Sequence, residues 1–227
     1  MRPLWIIDLG VVDYEKCVDL QVELHARRLA GDIEDTLLLL EHSPVITIGT
    51  SGGEQNLLVP ESMLTKAGVK LCRTDRGGNI TYHGPGQLVG YPIFDLRNYD
   101  KDAHLLLRNL EEVVIQSLGD FGIIGSRSEG LTGVWVGQEK ICSIGVAVRK
   151  WVSYHGFAVN VNPDFSHWSL IHPCGLVGRQ VTSISRCAGY DPLMGLVKDS
   201  VVDKCANVFA VKPIHKSLVD LGIEAAL

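Results

Sequence analysis

The sequence has 227 residues, of which 46% are hydrophobic and 21% charged, and its formal net charge at pH 7 is −5. These values are those of an ordinary globular protein with a sizeable core. The negative charge argues against nucleic acid or an anionic membrane as the main partner. No apolar run approaches the roughly 20 residues that a membrane-spanning helix needs, and the first residues lack the pattern of a secretory or transit peptide. We therefore expect a cytoplasmic protein that binds neither nucleic acid nor membranes.

The six cysteines are scattered along the chain, and none forms a C-x-x-C pair. This is too sparse for a disulfide framework in a chain of this length and fits a reducing compartment. The length allows one large domain or two small ones. Because the sequence contains no internal repeat, low-complexity run or long linker, we predict a single domain over residues 1–227.

The first third of the chain contains alternating signals for strands and helices. Asp13 is typical of a residue that caps a helix, and Gly31 is typical of one that ends it. The patterns predict, in order, a strand over 4–9, a helix from 13 to 30, strands over 36–41 and 45–48, a short helix over 60–68 and a strand over 70–73.

The remainder of the chain is dominated by predicted strands, with two long helices between and after them. The patterns predict strands over 79–82 and 90–96, a helix from Asp102, strands over 133–136, 140–148 and 152–161, a loop over 171–182 and a helix over 192–209. The buried face of the helix from Asp102 is predicted to be formed by Leu106, Leu110, Val113, Val114 and Leu118. These elements predict an α+β fold with a mixed β-sheet flanked by helices.

A glycine-rich stretch, RGGNITYHGPGQLVGY at 76–91, stands out among the predicted strands. Such a density of glycines indicates sharp turns or the close approach of another group. A plain connection between strands would explain the glycines but not Arg76 and His83, which add a fixed cation and a group that titrates near neutral pH. We therefore interpret the stretch as the wall of a ligand site.

Cys174, in the segment HPCGLVG, is the candidate nucleophile. Its neighbours Pro173 and Gly175 are typical of a loop that presents a side chain, whereas a buried structural thiol is the better interpretation of Cys17, Cys142 and Cys205. A thiol needs a neighbouring cation that stabilises the thiolate. Lys140, in QEKICSIG, is the candidate, although a solvated strand end explains a lysine at this position equally well.

Other kinds of site are less well supported by the pattern. His83, His172 and Cys174 could bind zinc, but their spacing matches no familiar motif and a fourth ligand is missing. A cysteine hydrolase with His83 as the base is chemically reasonable but lacks a family signature. Neither G-x-x-x-x-G-K-S/T nor G-x-G-x-x-G occurs in the glycine-rich stretch, so no motif supports phosphate binding.

Four segments together resemble the signature blocks of one enzyme family. RGGNITYHGPGQLVGYP, GQEKICSIGVAV, YHGFAVNVN and HPCGLVGRQVTS are similar, in this order, to blocks of the lipoate-pathway octanoyltransferases, the lipoyl(octanoyl)-acyl-carrier-protein:protein transferases. The resemblance implies the fold of biotin and lipoate protein ligases and a cysteine–lysine dyad.

The resemblance also implies a role for individual residues. Cys174 would be the nucleophile and Lys140 its activating partner. The residues that would line the acyl pocket are Arg76, Gly77, Gly78, Asn79, Ile80, Thr81, Tyr82, His83, Ser143, Ile144, Gly145, Gly156, Phe157 and Ala158. Phe157 departs from the smaller aliphatic residue of many relatives, and we expect this bulky side chain to influence the acyl chain length.

The implied reaction transfers an octanoyl group from octanoyl-acyl carrier protein, through a thioester on Cys174, to a lysine of a lipoyl domain. The implied acceptors are the glycine cleavage H protein and the E2 subunits of 2-oxoacid dehydrogenases. We expect neither ATP nor a metal, because a thioester is converted downhill into an amide. An ATP-dependent lipoate or biotin ligase is the alternative within the same fold, but Cys174 argues against it. A non-catalytic acyl-binding module is a further alternative, and Cys174 together with Lys140 argues against it.

Overall fold

A computed structural model describes residues 1–173 and 180–224 of the chain. The strands are β1 (Arg2–Val12), β2 (Asp35–His42), β3 (Val45–Ile48), β4 (Lys70–Arg73), β5 (Ile80–His83), β6 (Gln87–Ile93), β7 (Ser126–Ser128), β8 (Leu131–Val136), β9 (Glu139–Arg149), β10 (Val152–Asn160) and β11 (Val211–His215). The helices are α1 (Tyr14–Ala30), α2 (Glu61–Lys66), α3 (Ala103–Gly119), α4 (Ile184–Ala188) and α5 (Met194–Phe209). Short 3-10 turns cover Glu54–Asn56, Leu96–Asn98, Phe165–Leu170 and Val219–Leu221.

The central element is an eight-stranded sheet in the order β11-β1-β2-β6-β10-β9-β8-β7. Strand β1 is parallel to both of its neighbours, and the other pairs in this sheet are antiparallel. The sheet is therefore mixed. Together with the flanking helices, it confirms the predicted α+β fold.

Helices cover both faces of the large sheet. On one face, α3 and α5 pack over an apolar cluster that contains the five residues predicted for the buried face of α3. On the other face, α1 buries Cys17, Leu20 and Leu24 against β2, β6 and β10. Each fully buried aliphatic side chain of this kind contributes about 1.5–3 kcal/mol to folding.

The predicted ends of α1 are confirmed. The Asp13 side chain accepts hydrogen bonds from the backbone N–H groups of Glu15 and Lys16, and Gly31 adopts the left-handed conformation with φ of 86°. These contacts satisfy N–H and C=O groups that a helix end leaves without intrahelical partners.

A second, three-stranded sheet has the order β4-β3-β5 and packs with α2 and the turn Phe165–Leu170 around its own apolar cluster. The sequence did not predict this separate sheet, nor β7, β11 and α4. The strand predicted over 90–96 lies at Gln87–Ile93 instead. Within the described residues, no helix is long and apolar enough to cross a bilayer.

Candidate active site

A cavity lies between the glycine-rich stretch and one face of the large sheet. It is lined by Arg76, Gly77, Gly78, Asn79, Thr81, His83, Tyr91, Lys140, Ser143, Ile144, Gly145, His155, Gly156, Phe157 and Ala158. The residues come from the loop before β5, from β5 and β6, and from the adjacent strands β9 and β10. Three of the four sequence blocks therefore meet around one cavity, as a ligand site requires.

Lys140 reaches this cavity because β9 contains a bulge. Val134 pairs with Cys142 and Trp135 with Lys140, so Ile141 is an extra residue without a partner on β8. Ile141 and Cys142 both belong to the core on the α3 side. A bulge reverses the alternation of side chains, and Lys140 is thereby turned to the opposite face, which it shares with Ser143 and Gly145.

The Lys140 side chain is largely enclosed. The residue is 8% exposed, and its Nζ atom lies 5.1 Å from the ring centroid of Trp135, its cross-strand neighbour. An ammonium group over an aromatic face is stabilised in this geometry. The solvated strand end considered from the sequence is therefore not the environment of Lys140.

The backbone of Lys140 also binds the chain that follows the candidate nucleophile. Lys140 N donates to Gln180 O at 3.0 Å, and Thr182 N donates to Lys140 O at 3.0 Å. Cys174 itself lies outside the described residues. In sequence it precedes Gln180 by six positions.

Two glycines bring the loop and the sheet into direct contact. Gly77 N donates to Val146 O at 3.0 Å, and a Cβ atom on Gly145 would overlap the carbonyl oxygen of Gly77. Only a residue without a side chain allows two backbones to approach this closely. The glycines at both positions are therefore explained by the packing of the cavity wall.

Arg76 organises this loop. Its guanidinium donates to Thr47 Oγ1 through Nε at 3.0 Å, to Thr47 O through Nη2 at 2.7 Å and to Asn79 O through Nη2 at 2.6 Å. These bonds tie the loop to β3 of the small sheet. The fixed cation noted in the sequence thus borders the cavity and also holds its wall in place.

His83 is part of a buried chain of hydrogen bonds that fixes its tautomer. Asn160 Nδ2 donates to Thr182 O at 2.9 Å, and Gln87 Nε2 donates to Asn160 Oδ1 at 2.9 Å. Gln87 Oε1 must then accept from His83 Nδ1, at 2.7 Å. Burial, with the nearby His42 and Arg76, holds the pKa of His83 well below its usual value, so the ring is neutral with Nε2 unprotonated.

The cavity brings together most, but not all, of the predicted lining residues. Ile80 and Tyr82 do not line it, because alternate residues of a strand face opposite sides. Thr81 and His83 face the cavity, whereas Ile80 and Tyr82 pack into the apolar cluster of the small sheet.

Phe157 is among the residues that line the cavity, as predicted, but its side chain also packs in the core. Together with Val159, it belongs to the core on the α3 side. Ala158, between them, belongs to the opposite face, where the cavity lies. The large ring predicted to contact the acyl chain is therefore a core side chain.

Tyr91 and His155 line the cavity but were missed from the sequence. Burial lowers the pKa of His155 below its usual value, against the opposing effect of its hydrogen bond to the Asp75 carboxylate. His155 Nε2 lies 2.9 Å from Asp75 Oδ1, and the backbone has a left-handed φ of 54°. Among residues 1–173 and 180–224, Nδ1 has no hydrogen-bond partner. The only sequence signal was the position of His155 inside the YHGFAVNVN block.

Each cysteine of the described part of the chain is either buried with a raised pKa, and so a poor nucleophile, or lies outside the cavity. Burial raises the pKa of Cys17, Cys142 and Cys205 to about 12 and also raises that of Cys72. Cys187 is exposed but does not line the cavity. No group of three or more potential metal ligands occurs among residues 1–173 and 180–224.

The architecture is that of protein ligases that attach lipoate or biotin. The chain is similar to a bipartite lipoate protein ligase from Thermoplasma acidophilum, with a TM-score of 0.74 and 17% identity over 96% of this chain and 87% of that one. It is also similar to the biotin protein ligase of Aquifex aeolicus, with a TM-score of 0.56 and 14% identity over 92% of this chain and 70% of that one. At these identities, the similarity shows the fold alone.

Similarity in sequence identifies the family of this chain more specifically than similarity in fold does. Residues 13–206 match the lipoyl protein ligase A/B catalytic domain, and the chain belongs to this family. It is 50% identical over 218 residues to an octanoyltransferase of Caldicellulosiruptor bescii, covering 95% of this chain and 93% of the relative. It is 45% identical over 212 residues to an octanoyltransferase of Thermoanaerobacter sp. (strain X514), covering 93% and 92%. The resemblance and the fold inferred from the sequence are both confirmed.

Proposed function

We propose that this protein is an octanoyltransferase that moves an octanoyl group from octanoyl-acyl carrier protein to a lysine of lipoyl domains. The proposed acceptors are the glycine cleavage H protein and the E2 subunits of 2-oxoacid dehydrogenases. Relatives of 42–50% identity that carry this name support the proposal. The observation that carries it is Lys140, which a bulge in β9 turns into a cavity built from the family's sequence blocks.

The reaction would proceed through two acyl transfers. The Cys174 thiolate would attack the thioester carbonyl of the donor and form an S–C bond as the C–S bond to the carrier breaks, and the carrier thiol would leave with a proton donated by the Lys140 ammonium. The amine of the acceptor lysine then attacks the new thioester, forming an amide as the Cys174 sulfur departs. Lys140 would stabilise the thiolate in both steps and, when neutral, accept the proton from the incoming amine.

This chemistry requires neither ATP nor a metal, because the amide is more stable than the thioester. An ATP-dependent ligase remains the second candidate, since solved structures of the same fold include a lipoate-protein ligase bound with ATP. Adenylation needs no nucleophilic thiol, so the two reactions differ in whether an acyl-cysteine forms.

The decisive experiment is to trap this intermediate. The protein is incubated with octanoyl-carrier protein in the absence of ATP, and intact mass spectrometry is used to detect one added octanoyl group. We expect an adduct in the wild type and none in Cys174→Ala, which should also lose transfer. Cys187→Ala is the matched control, because Cys187 is an exposed thiol; this variant should keep the adduct. Turnover by Cys174→Ala, or transfer only with ATP, would contradict the proposal.

A further inference from the structure

The end of the Lys140 side chain lies where a neighbouring glycine leaves room for it. Gly133, on β8, has a φ of 130°. A Cβ atom at this position would lie 2.5 Å from the backbone oxygen of Cys142, 2.7 Å from Lys140 Cε and 3.3 Å from Lys140 Nζ. Any larger residue would therefore displace the end of the lysine side chain or the strand that carries it.

The backbone of Gly133 is held by a buried carboxylate on α3. Strands β7 and β8 pair at Ser126–Trp135 and Ser128–Leu131, and the register shifts between these pairs. Gly133 lies in this irregular stretch, and its N–H group donates to Glu111 Oε1 at 3.0 Å. Because a buried N–H group requires a partner, Glu111 stabilises the unusual backbone at this point.

The other carboxylate oxygen of Glu111 has different partners. Arg108 Nη1 donates to Oε2 at 2.6 Å and Arg127 Nε at 3.1 Å, and the Glu111 side chain is 0% exposed. The two arginines compensate the buried charge. Oε1 therefore remains oriented towards Gly133.

We infer that Glu111 is a positioning residue for Lys140, acting through Gly133. Gly133 places no side chain beside Lys140 Nζ, and Glu111 fixes the backbone of β8 at this glycine. The ammonium group is thereby held between Gly133 and Trp135. The expected effect of Glu111 on acyl transfer rests on the proposed function. The expected effect of Glu111 on the surroundings of the Lys140 side chain does not depend on that function.

Glu111→Gln tests this inference with little change of shape. A Gln side chain has one acceptor oxygen, which cannot serve both the arginines and Gly133 N–H. We expect kcat to fall about tenfold or more, since small misplacements of a reacting group have large effects, while KM for the donor changes less than about twofold. Arg127→Gln is the matched control: it removes an ion pair of the same carboxylate, leaves the bond to Gly133 and should retain kcat.

A second measurement is independent of transfer activity. An amine-reactive reagent is applied at several pH values, and peptide mass spectrometry compares the labelling of Lys140 with that of the exposed Lys101. We expect Glu111→Gln to increase the relative labelling of Lys140 and alter its pH profile, and Arg127→Gln to leave both unchanged. If Glu111→Gln and Arg127→Gln show the same pH profile of Lys140 labelling, the inference is overturned. If Glu111→Gln alters the labelling of Lys140 but the wild type transfers no octanoyl group, only the proposed function is refuted.

Should Glu111→Gln not fold, the glycine itself provides the test. Gly133→Ala is compared with Gly137→Ala, a second glycine of positive φ (57°), whose Cβ position has none of the described atoms within 4 Å. Each melting temperature is measured in the wild-type and Lys140→Ala backgrounds. We expect Gly133→Ala to be less destabilising once Lys140 is shortened, and Gly137→Ala to be equally tolerated in both. Equal losses for Gly133→Ala in the two backgrounds would show that the overlap with the Cys142 backbone and the positive φ, and not the contact with Lys140, determine the loss, and would contradict the inference.

Discussion

Lys140 shows how strand pairing determines the direction in which one side chain points. It lies at the start of a strand whose neighbouring side chains Ile141 and Cys142 are core residues. One unpaired residue in the strand determines that the cation lies in the cavity instead. The effect of Lys140 on the pKa of the candidate nucleophile Cys174 can be tested by removing the lysine side chain.

We predict that Cys174 reacts with iodoacetamide well below a pH of about 8.5, the ordinary pKa of a cysteine. In Lys140→Ala the midpoint of the pH profile should rise by about one pH unit or more, because a nearby cation favours the thiolate. The rate is measured on the Cys174 peptide in a Cys187→Ser background, which removes the exposed thiol. If the midpoint is the same with and without Lys140, the lysine does not activate the nucleophile, although it could still serve in the second step.

At the scale of the element, the alternation of β10 separates two neighbouring residues that the sequence placed in one pocket. Both residues border the cavity, but the Phe157 side chain packs in the core on the α3 side, whereas Ala158 lies on the opposite face. We predict that Phe157→Ala lowers the free energy of unfolding by about 3–5 kcal/mol, the usual loss for a buried phenylalanine, and keeps octanoyl as the best substrate.

Ala158→Val is the matching variant on the other face of β10. Its added methyl groups narrow the cavity, so hexanoyl should become a better substrate relative to octanoyl. Urea unfolding and rates with acyl groups of different length distinguish the two variants. A shift of Phe157→Ala towards decanoyl would show that its ring does limit the chain after all.

The elements that were predicted from the sequence are those with strong local signals. Asp13 and Gly31 fixed the ends of α1 because caps act within a few residues. Strand β11 was missed because it contains Pro213 and pairs with β1, about 200 residues earlier in the chain. Proline is tolerated there because β11 is an edge strand.

The candidate site was located from the sequence only in part. Family blocks identified most of the lining, but no local pattern gives the bulge at Ile141, because it depends on the pairing with β8. The same holds for the left-handed backbone of His155. The position of Cys174 lies outside the described residues and stays a prediction.

At the scale of the whole molecule, the histidines that line or adjoin the cavity are buried. His42, His83 and His155 are each less than 9% exposed. Burial lowers the pKa of all three, to about 4 for His42. His42 Nδ1 donates to Val12 O at 3.0 Å and Nε2 accepts from Tyr91 Oη at 2.7 Å, so the neutral ring has both of its partners.

These histidines should make the stability of the fold sensitive to mild acid. Above a pH of about 6.5, the rings are neutral in both the folded and the unfolded chain, and they give no pH dependence. As the pH falls below this value, the unfolded chain takes up protons that the folded chain excludes, so the free energy of unfolding decreases. Each buried histidine contributes up to about 1.4 kcal/mol per pH unit, and His42 alone about 3 kcal/mol between pH 6.5 and its folded pKa of about 4.

We therefore predict that urea unfolding between pH about 7 and 4.5 shows a steep loss of stability before most carboxylates titrate. His42→Gln should flatten this dependence by up to about 1.4 kcal/mol per pH unit, because glutamine can make both hydrogen bonds but binds no proton. His104→Gln is the control, since His104 is exposed on α3. If the two variants show the same slope as the wild type, protonation of His42 does not limit the stability of the fold, and the acid sensitivity must arise from other groups.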